Sequence, residues 1–391
     1  MRGSTVVRPV VLALLALLLA LAVAAPAMAA DTAATDLPES YIIEDVPLWQ
    51  QVDAFSCGAS AAQMVMSYWG PFIDQKEVRA AARTGRSKAP ETARGTAVPD
   101  VARAGQFSFM SQSIGEAYGE TIWGYTARPL GYAGFYYGLE SDASQDEVLA
   151  WLGQLKAIVA AGYPVVCLTD WLPDMYGPHY RVVVGYDDAK GVIYFNDPWV
   201  REFRNDIGAR GSFAQFKGEP SPSTYGYMEW SYEDWLDVWS LPGDDWGQPG
   251  YNYNAVLIAP WEVVIEAPAT VAPGATFEVK ATVTYPCLEP FATGDWPAFP
   301  ASAATIALSL PDGWSVQGGG MEAMIGDLPA GASAEATFTV KASGKAGDFA
   351  LGVTGSGLVS GSLEERAQFP AYDYTDLIGG SDEVTIAVAA D

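Results

Sequence analysis

The sequence predicts an α+β domain followed by an all-β sandwich, behind an N-terminal leader. Three observations lead to this division. The first 30 residues have the composition of a leader, residues 31–261 mix helical and strand patterns, and after Trp261 the helical spacing gives way to alternating strands between Pro, Gly and Ala turns. A chain of about 360 residues without its leader exceeds what one hydrophobic core usually serves. We therefore expect two domains, at 31–261 and 263–391.

The predicted leader is residues 1–30. Arg2 and Arg8 flank a short positive segment, an apolar run follows from Val10, and Ala27-Met28-Ala29 is an A-x-A cleavage site. This order is typical of a secretory signal peptide. An uncleaved membrane anchor is the alternative, because the apolar run approaches spanning length. No second run of that length follows, so we expect a secreted or cell-surface protein without stable membrane insertion.

The first half of the α+β domain is mainly helical by pattern. Its predicted elements, in chain order, are a polar lead-in at 31–45, an apolar helix at 57–69, a second helix at 75–83 that Asp74 and Glu77 cap, a basic loop at 84–96, and a Gly- and aromatic-rich stretch at 119–140. The aromatic stretch is either short strands or loops lining a cleft, and most of its aromatic residues are expected in the core.

The second half of the α+β domain carries the strands. Its predicted elements are a helix opened by Ser144 and Glu147 that ends at Gly162, the apolar strand "YPVVCLTDW", a hairpin at 179–199 with its turn at Asp188–Gly191, a short helix opened by Ser231 and Asp234, and a closing strand at 251–261.

The chain is strongly acidic, and its charge narrows the partners it can have. The formal net charge is -26, and loss of the two leader arginines lowers it to -28. Such a surface repels nucleic acid and anionic lipid, so no nucleic-acid partner is expected. One histidine and three cysteines argue against a zinc site. Calcium binding at the aspartate pairs 187–188 and 244–245 stays open without EF-hand spacing, and we expect no cofactor.

Cys57 stands at the start of the apolar helix, where three roles are open to it: core thiol, half of a disulfide, or nucleophile. Three cysteines allow one disulfide at most and leave an odd thiol. Cys167 lies in an apolar strand and is expected in the core, while Cys287 is expected to be an isolated thiol; a Cys167–Cys287 disulfide is the remaining possibility. A cysteine at a helix N-terminus beside an imidazolium has a lowered pKa, which would make Cys57 a nucleophile.

His179, the single histidine, begins the predicted hairpin. If the turn centres near residue 188, His179 faces Asp197, and a shift of the turn by a residue or two leaves the carboxylate within reach. A carboxylate there would fix the tautomer of the imidazole and stabilise the imidazolium. Gln51, six residues before Cys57, is the candidate oxyanion donor, and Gln50 is the alternative.

In the order Gln, Cys, His, Asp, these residues resemble the papain-like C39 peptidase family, in its exported C39-like branch. The resemblance rests on "VPLWQQVDAFSCGASAAQMVMSYWG", "GYPVVCLTDW", "HYRVVVGYDD" and "IYFNDPW", and it covers residues 43–261. It implies an α+β papain-like cysteine peptidase domain, with a helical half carrying Cys57, a β half carrying His179 and Asp197, and Gln51 in the oxyanion hole. The papain signature C-G-S-C-W is absent. The second domain resembles the immunoglobulin-like sandwich modules of exported proteins.

The sequence thus predicts a secreted cysteine peptidase or amidase that hydrolyses peptide or isopeptide bonds through an acyl-enzyme. A peptide or a cell-wall peptide is the expected substrate. Unlike the transporter-fused members of the family that it resembles, this chain shows no ATPase or membrane domain. Cleavage after a double-glycine leader is therefore not expected. The alternatives are an acyl transferase of the same fold and a non-enzymatic surface binding protein on a degenerate scaffold. Residues 31–261 are expected to fold and act without the remaining residues, and the oligomeric state is not predicted.

Overall fold

The computed structural model of the chain describes residues 37–85, 94–111, 122–173, 176–199, 215–216, 227–243, 250–291, 299–366 and 369–389. The predicted leader and the aspartate pair at 244–245 lie outside these residues, as do parts of the predicted stretches at 84–96 and 119–140.

The helices of the described residues all precede residue 240. They are α1 (Cys57–Trp69), α2 (Gln75–Ala81), α3 (Val98–Gln106), α4 (Gln145–Ala160) and α5 (Tyr232–Trp239). Helix α4 begins with the complete predicted capping box, in which Ser144 and Glu147 satisfy each other's backbone N–H groups. At α2 the Asp74 side chain accepts from Lys76 instead, so the predicted box is incomplete. Within the described part of the chain, no helix has the length and apolar character needed to cross a bilayer.

One antiparallel sheet of seven strands supports these helices. Its strands are β1 (Ser40–Ile42), β3 (Ala133–Glu140), β4 (Val165–Thr169), β5 (His179–Asp187), β6 (Val192–Asn196), β8 (Tyr227–Ser231) and β9 (Tyr251–Ala259). Their order is β3-β9-β4-β5-β6-β8, and β1 also pairs with β5. A short separate pair joins β2 (Leu48–Trp49) to β7 (Gln215–Phe216). Strand β1 lies in the stretch that the sequence predicts as a polar lead-in, because pairing with β5 orders it despite its weak apolar pattern.

Helix α1 is buried against the sheet, which brings its first turn to the start of β5. Ten of its residues, from Cys57 to Met66, are buried, and the helix packs on β5 and β9. Its buried polar side chains are satisfied locally: Ser60 donates to the carbonyl of Trp49 at 2.8 Å, and Gln63 donates to that of Ile73 at 2.7 Å. The helix can therefore be enclosed without unpaired polar groups at these two positions.

The region after Trp261 is all strand and loop in its described residues. Its first sheet has the order β10-β12-β16-β14 and its second β11-β18-β17-β13-β15. The strands are β10 (Glu262–Glu266), β11 (Thr270–Val271), β12 (Thr276–Thr284), β13 (Ala301–Ser309), β14 (Ser315–Val316), β15 (Glu322–Leu328), β16 (Ser333–Lys341), β17 (Gly347–Leu363) and β18 (Tyr372–Val388). The sheets approach closely at Gly355, where a Cβ would lie 2.5 Å from Val283. This region is therefore β-rich, as the composition change predicts.

The composition break after Trp261 is not a break in packing, because all described residues lie in one compact unit. Arg103 of α3 pairs with Asp376 of β18 at 3.1 Å, and neither side chain is exposed. The hydroxyl of Tyr374 donates to Gln106 at 2.7 Å, and the Arg103 guanidinium lies 4.2 Å from the Tyr374 ring. The predicted boundary at 261–263 stays a prediction, and a buried ion pair joins residues on its two sides.

Candidate active site

The loop before α1 is built around the carboxylate of Asp53. One of its oxygens accepts from the backbone N–H of Phe55 at 2.9 Å and from the hydroxyl of Ser56 at 2.7 Å. The other oxygen pairs with Arg79 of α2 at 2.7 Å. These contacts hold the turn that delivers Cys57 as the first residue of α1, with Ser56 as its N-cap.

Cys57 lies against the beginning of β5. The backbone N–H groups of Tyr180 and Gly58 act on its sulfur and favour the thiolate. Gly58 is required by the packing, since a Cβ there would lie 2.9 Å from Thr96 and 3.1 Å from the Tyr180 ring. This close packing of the start of α1 on β5 places the sulfur of Cys57 next to Tyr180, the residue that follows His179.

The β5–β6 hairpin brings His179 and Asp197 together. Nε2 of His179 lies 2.7 Å from Oδ1 of Asp197, and both residues are buried. The register differs from the simplest prediction, in which His179 faces Asp197. Val182 pairs with Asn196, and a bulge follows between Val183 and Gly185. Asp197 therefore lies diagonally across from His179, and the side chains bridge the offset.

Asp197 is the most strongly stabilised anion of the site. Burial alone would raise its pKa, but the charges of His179 and Arg181, together with hydrogen bonds from His179 and the Trp199 N–H, lower it to about 2. The Trp199 N–H donates to Oδ1 at 2.8 Å, and Nε of Arg181 donates to Oδ2 at 2.9 Å. Asp197 is therefore a carboxylate at any neutral or mildly acidic pH.

Arg181 is a buried residue of this site that the sequence reasoning missed. Its side chain reaches Asp197, Thr169 and two backbone carbonyls, and only 1% of the residue is exposed. The available signal was an arginine inside the apolar strand "HYRVVV", two residues after His179 and so on the same face of the strand.

The sequence reasoning also missed two tryptophans, of which Trp171 contacts the imidazole and Trp199 packs on Trp171. The ring of Trp171 stands edge-on to His179, with centroids 4.6 Å apart. Trp199 stands edge-on to Trp171 at 5.0 Å. His179 and Asp197 are both buried, and a hydrogen bond in such surroundings is stronger than one in water.

Burial sets the resting charge of both the thiol and the imidazole. It raises the pKa of Cys57 to about 11. The N–H groups of Tyr180 and Gly58 oppose this increase, and the charge of Asp197 adds to it. Burial also lowers the pKa of His179. The charge of Asp197 opposes this decrease, and the charge of Arg181 adds to it. The lowered thiol pKa expected at a helix start is therefore not found. Desolvation of a cysteine only 8% exposed outweighs the favourable N–H groups.

The sulfur of Cys57 lies beside the backbone of Tyr180, the residue after His179, and among the described residues no hydrogen bond joins Cys57 to His179. The structure connects them through Tyr180, whose backbone N–H acts on the sulfur, and through Asp197, whose charge acts on both. Their catalytic roles remain predictions.

The two glutamines before Cys57 differ in their surroundings. The backbone N–H of Gln51 donates to the carbonyl of Pro198 at 3.0 Å, which holds this segment beside Asp197. One N–H of its side chain donates to the carbonyl of Asp53 at 2.6 Å, so the second N–H is the one that could face an oxyanion. The side chain of Gln50 is buried and finds no partner for its nitrogen or oxygen among the described residues.

The other cysteines do not belong to this site. All three cysteines are free, so the possible Cys167–Cys287 disulfide does not form. Cys167 is fully buried in β4, as expected for a core residue, and Cys287 is partly buried. In the described ranges, no cluster of three or more His, Cys, Asp or Glu residues is arranged to hold a metal ion.

One family model matches part of the chain. It is described as "Peptidase_C39 like family" and covers residues 43–219, which include Gln51, Cys57, His179 and Asp197. The match supports a peptidase-type fold for this part of the chain. A search of curated proteins finds no match.

Solved structures with partial likeness are distant. The PKD domain of an M14-like peptidase from a Thermoplasmatales archaeon is 11% identical, with 34% of this chain and 94% of that chain covered and a TM-score of 0.18. A cohesin module of a Clostridium perfringens family 33 glycoside hydrolase is 16% identical, with 33% and 98% covered and a TM-score of 0.17. Alpha-2-macroglobulin of E. coli is 14% identical, with 55% and 10% covered and a TM-score of 0.24. TM-scores this low do not establish a shared fold.

Proposed function

We propose that this protein is a secreted thiol hydrolase that cleaves peptide or isopeptide bonds. Cys57 is the nucleophile, His179 the base and Asp197 the group that orients His179. The observation that carries the proposal is the buried 2.7 Å contact between His179 Nε2 and Asp197 Oδ1 at the strand that packs on the start of α1. The family match at residues 43–219 supports the same class of chemistry.

The tautomer of His179 follows from its partner. With a pKa of about 2, Asp197 is ionised and can only accept a hydrogen bond. Nε2 of His179 therefore carries the hydrogen, and Nδ1 carries the lone pair that can take a proton. A neutral imidazole in this tautomer is the form that a general base requires.

Acylation begins with a proton transfer from Cys57 to Nδ1 of His179. The sulfur forms a bond to the scissile carbonyl carbon, and the carbonyl π electrons move to its oxygen. The imidazolium then gives its proton to the leaving amine as the C–N bond breaks, which leaves a thioester on Cys57. The backbone N–H of Cys57 and the second side-chain N–H of Gln51 stabilise the oxyanion.

Deacylation uses the same groups in reverse. Water attacks the thioester carbonyl and gives a proton to Nδ1 of His179. The C–S bond then breaks, the carboxylic acid product leaves, and the sulfur recovers the proton. An amine in place of water would turn the same site into an acyl transferase.

We also propose where the enzyme acts and how its chain is divided. The leader at 1–30 would direct export, so the enzyme would act outside the cell or at its surface on a peptide or a cell-wall peptide. Helices α1 to α3 would form the helical half of a papain-like domain, and the seven-stranded sheet its β half. Residues 263–391 would form an immunoglobulin-like module.

A non-enzymatic binding protein on the same scaffold is the second candidate, and one observation favours it. Cys57 is only 8% exposed, and its pKa is raised to about 11. A substrate must therefore displace or reorder groups at the site before attack, whereas a binding protein would need no access to the sulfur.

The experiment compares the purified mature protein with its Cys57→Ala variant on peptide libraries and cell-wall fragments, with products read by mass spectrometry. Cys287→Ala, which changes a thiol outside the site, is the matched control. We expect hydrolysis by the wild type and the control but not by Cys57→Ala. Equal hydrolysis by Cys57→Ala, or no hydrolysis of any substrate by the wild type, would contradict the proposal.

A further inference from the structure

We propose that Arg181 is a positioning residue of this site. It holds the Asp197 carboxylate with one oxygen turned to His179, and it shares the negative charge of that carboxylate, so that the imidazole works as a neutral base. The inference rests on the proposed function and identifies the group that sets the state of its base.

The carboxylate of Asp197 is divided between two partners. Oδ1 accepts from His179 at 2.7 Å and from the Trp199 N–H at 2.8 Å. Oδ2 accepts from Nε of Arg181 at 2.9 Å. Because both oxygens are engaged from fixed directions, the carboxylate cannot rotate without losing a charge-assisted hydrogen bond.

Arg181 can impose this orientation because its own guanidinium is held on all sides. One terminal nitrogen donates to the Thr169 hydroxyl and to the carbonyl of Asp170 at 2.7 Å. The other donates to the carbonyl of Trp171 at 2.6 Å. The centre of the guanidinium lies 4.5 Å from the ring of Trp230. A lysine in its place would have one nitrogen for these four acceptors.

The charges of the site cancel when His179 is neutral. Asp197 and Arg181 contribute one charge of each sign, and the protonated Cys57 adds none. A proton taken up from water would leave a buried, uncompensated positive charge on His179, which is costly. A proton taken from Cys57 leaves the site neutral. Arg181 therefore favours transfer from the nucleophile over uptake from solvent.

The groups facing His179 are few in the described part of the chain. Asp197 and Arg181 are the charges that act on it, and the titratable thiol of Cys57 lies beside the backbone of Tyr180, the next residue of the strand. Asp170 lies beyond Arg181 and acts on the guanidinium. The hydroxyl of Tyr180 points away, to the carbonyl of Thr96 at 3.0 Å.

The single histidine of the chain allows a direct test. NMR of the mature protein carrying ¹³C-labelled histidine gives the titration midpoint of His179 without any substrate. We expect the wild-type midpoint below the ordinary value, in line with the lowered pKa of His179. In Arg181→Gln the midpoint should rise by about one pH unit or more, the effect of removing a neighbouring like charge. Arg128→Gln removes another buried arginine, which touches backbone carbonyls rather than Asp197, and should leave the midpoint unchanged.

Arg181→Lys separates charge from geometry. It should keep the histidine midpoint near the wild-type value, while kcat on the substrate found by the screen falls about ten- to hundredfold, since the carboxylate is no longer held in place. A purely structural role for Arg181 would lower stability without moving the midpoint in Arg181→Gln.

The outcomes distinguish this inference from the proposed function. An unchanged midpoint in Arg181→Gln, or a wild-type kcat in Arg181→Lys, overturns the role of Arg181 while hydrolysis by the wild type stands. A raised midpoint in Arg181→Gln with no hydrolysis by the wild type supports the electrostatic role and rejects the proposed function. If Arg181→Gln does not fold, kcat of Arg181→Lys decides: a loss supports the inference and a wild-type value overturns it.

Discussion

Replacing Asp197 by asparagine should damage both turnover and stability, for separable reasons. If Asp197 only fixed the histidine tautomer, as the sequence predicts, the change would lower turnover and leave the fold intact. The structure adds Arg181, whose Nε needs an acceptor at 2.9 Å. If the new amide oxygen faces Arg181, its NH₂ group faces His179 and the Trp199 N–H, both of which are donors in the native arrangement. The imidazole must then move its hydrogen to Nδ1 and can no longer accept the Cys57 proton.

The size of each effect follows from these contacts. A pKa of about 2 against the usual 3.8 corresponds to about 2–3 kcal/mol in favour of the carboxylate. Removing one partner of a buried ion pair costs about 3–5 kcal/mol. We therefore expect Asp197→Asn to lose about 3 kcal/mol of unfolding free energy. Turnover should fall by about 10³–10⁴-fold, as when a triad carboxylate becomes an amide.

The assay combines urea unfolding with steady-state kinetics at a temperature where the variant is fully folded. Asp100→Asn is the control, since this carboxylate also pairs with a buried arginine, Arg83 at 2.6 Å, and is not among the groups that act on His179. A folded Asp197→Asn variant with turnover within tenfold of the wild type would refute the assigned role.

Three further predictions concern the oxyanion, the pH dependence of stability and the region after Trp261. Gln51→Ala should lower kcat by about a hundredfold and Gln50→Ala by less; the reverse ranking in the same kinetic assay would show that Gln50 is the donor. Burial raises the pKa of Asp376 to about 6, so the folded state binds a proton that the unfolded state has already lost, and unfolding free energy should fall as pH rises from about 4 to 6. Measured by chemical denaturation, the unfolding free energy of Asp376→Asn should not show that fall. A fall equal to that of the wild type would reject the role of Asp376. A chain ending at Trp261 should be insoluble or melt well below the full protein, because Arg103 would lose Asp376; a soluble, active fragment would instead support the independence that composition predicts.

The elements that the sequence predicts well are those with strong local patterns. Helix α1, helix α4 with its capping box, and the β5–β6 hairpin follow from apolar spacing and turn residues near each other in the chain. The hairpin also brings Asp197 within reach of His179, so part of the candidate site could be derived from strand geometry alone.

Helix α3 and the role of Arg181 were not predicted, because their partners are distant in the sequence or carry no distinctive pattern. Helix α3 buries Asp100 and Arg103, whose partners are Arg83 and, far along the chain, Asp376. The spacing of apolar residues does not predict which charged residues are buried by pairing with distant residues of opposite charge. Arg181 stabilises Asp197 through contacts that depend on the exact register, and the bulge before Gly185 shifts that register. The thiol pKa was missed for a third reason, since burial depends on the whole packed structure.

Alkylation of the native mature protein by iodoacetamide at about pH 6, read by peptide mass spectrometry, tests most directly whether Cys57 is the nucleophile. Burial raises the pKa of all three thiols, so each should react slowly unless a base takes its proton. We expect Cys57 to react at least about tenfold faster than Cys287, and His179→Ala to remove this difference without changing the rate of Cys287. Equal, slow labelling of Cys57 and Cys287, with no dependence on His179, would show that Cys57 is not an activated nucleophile and would favour a binding protein.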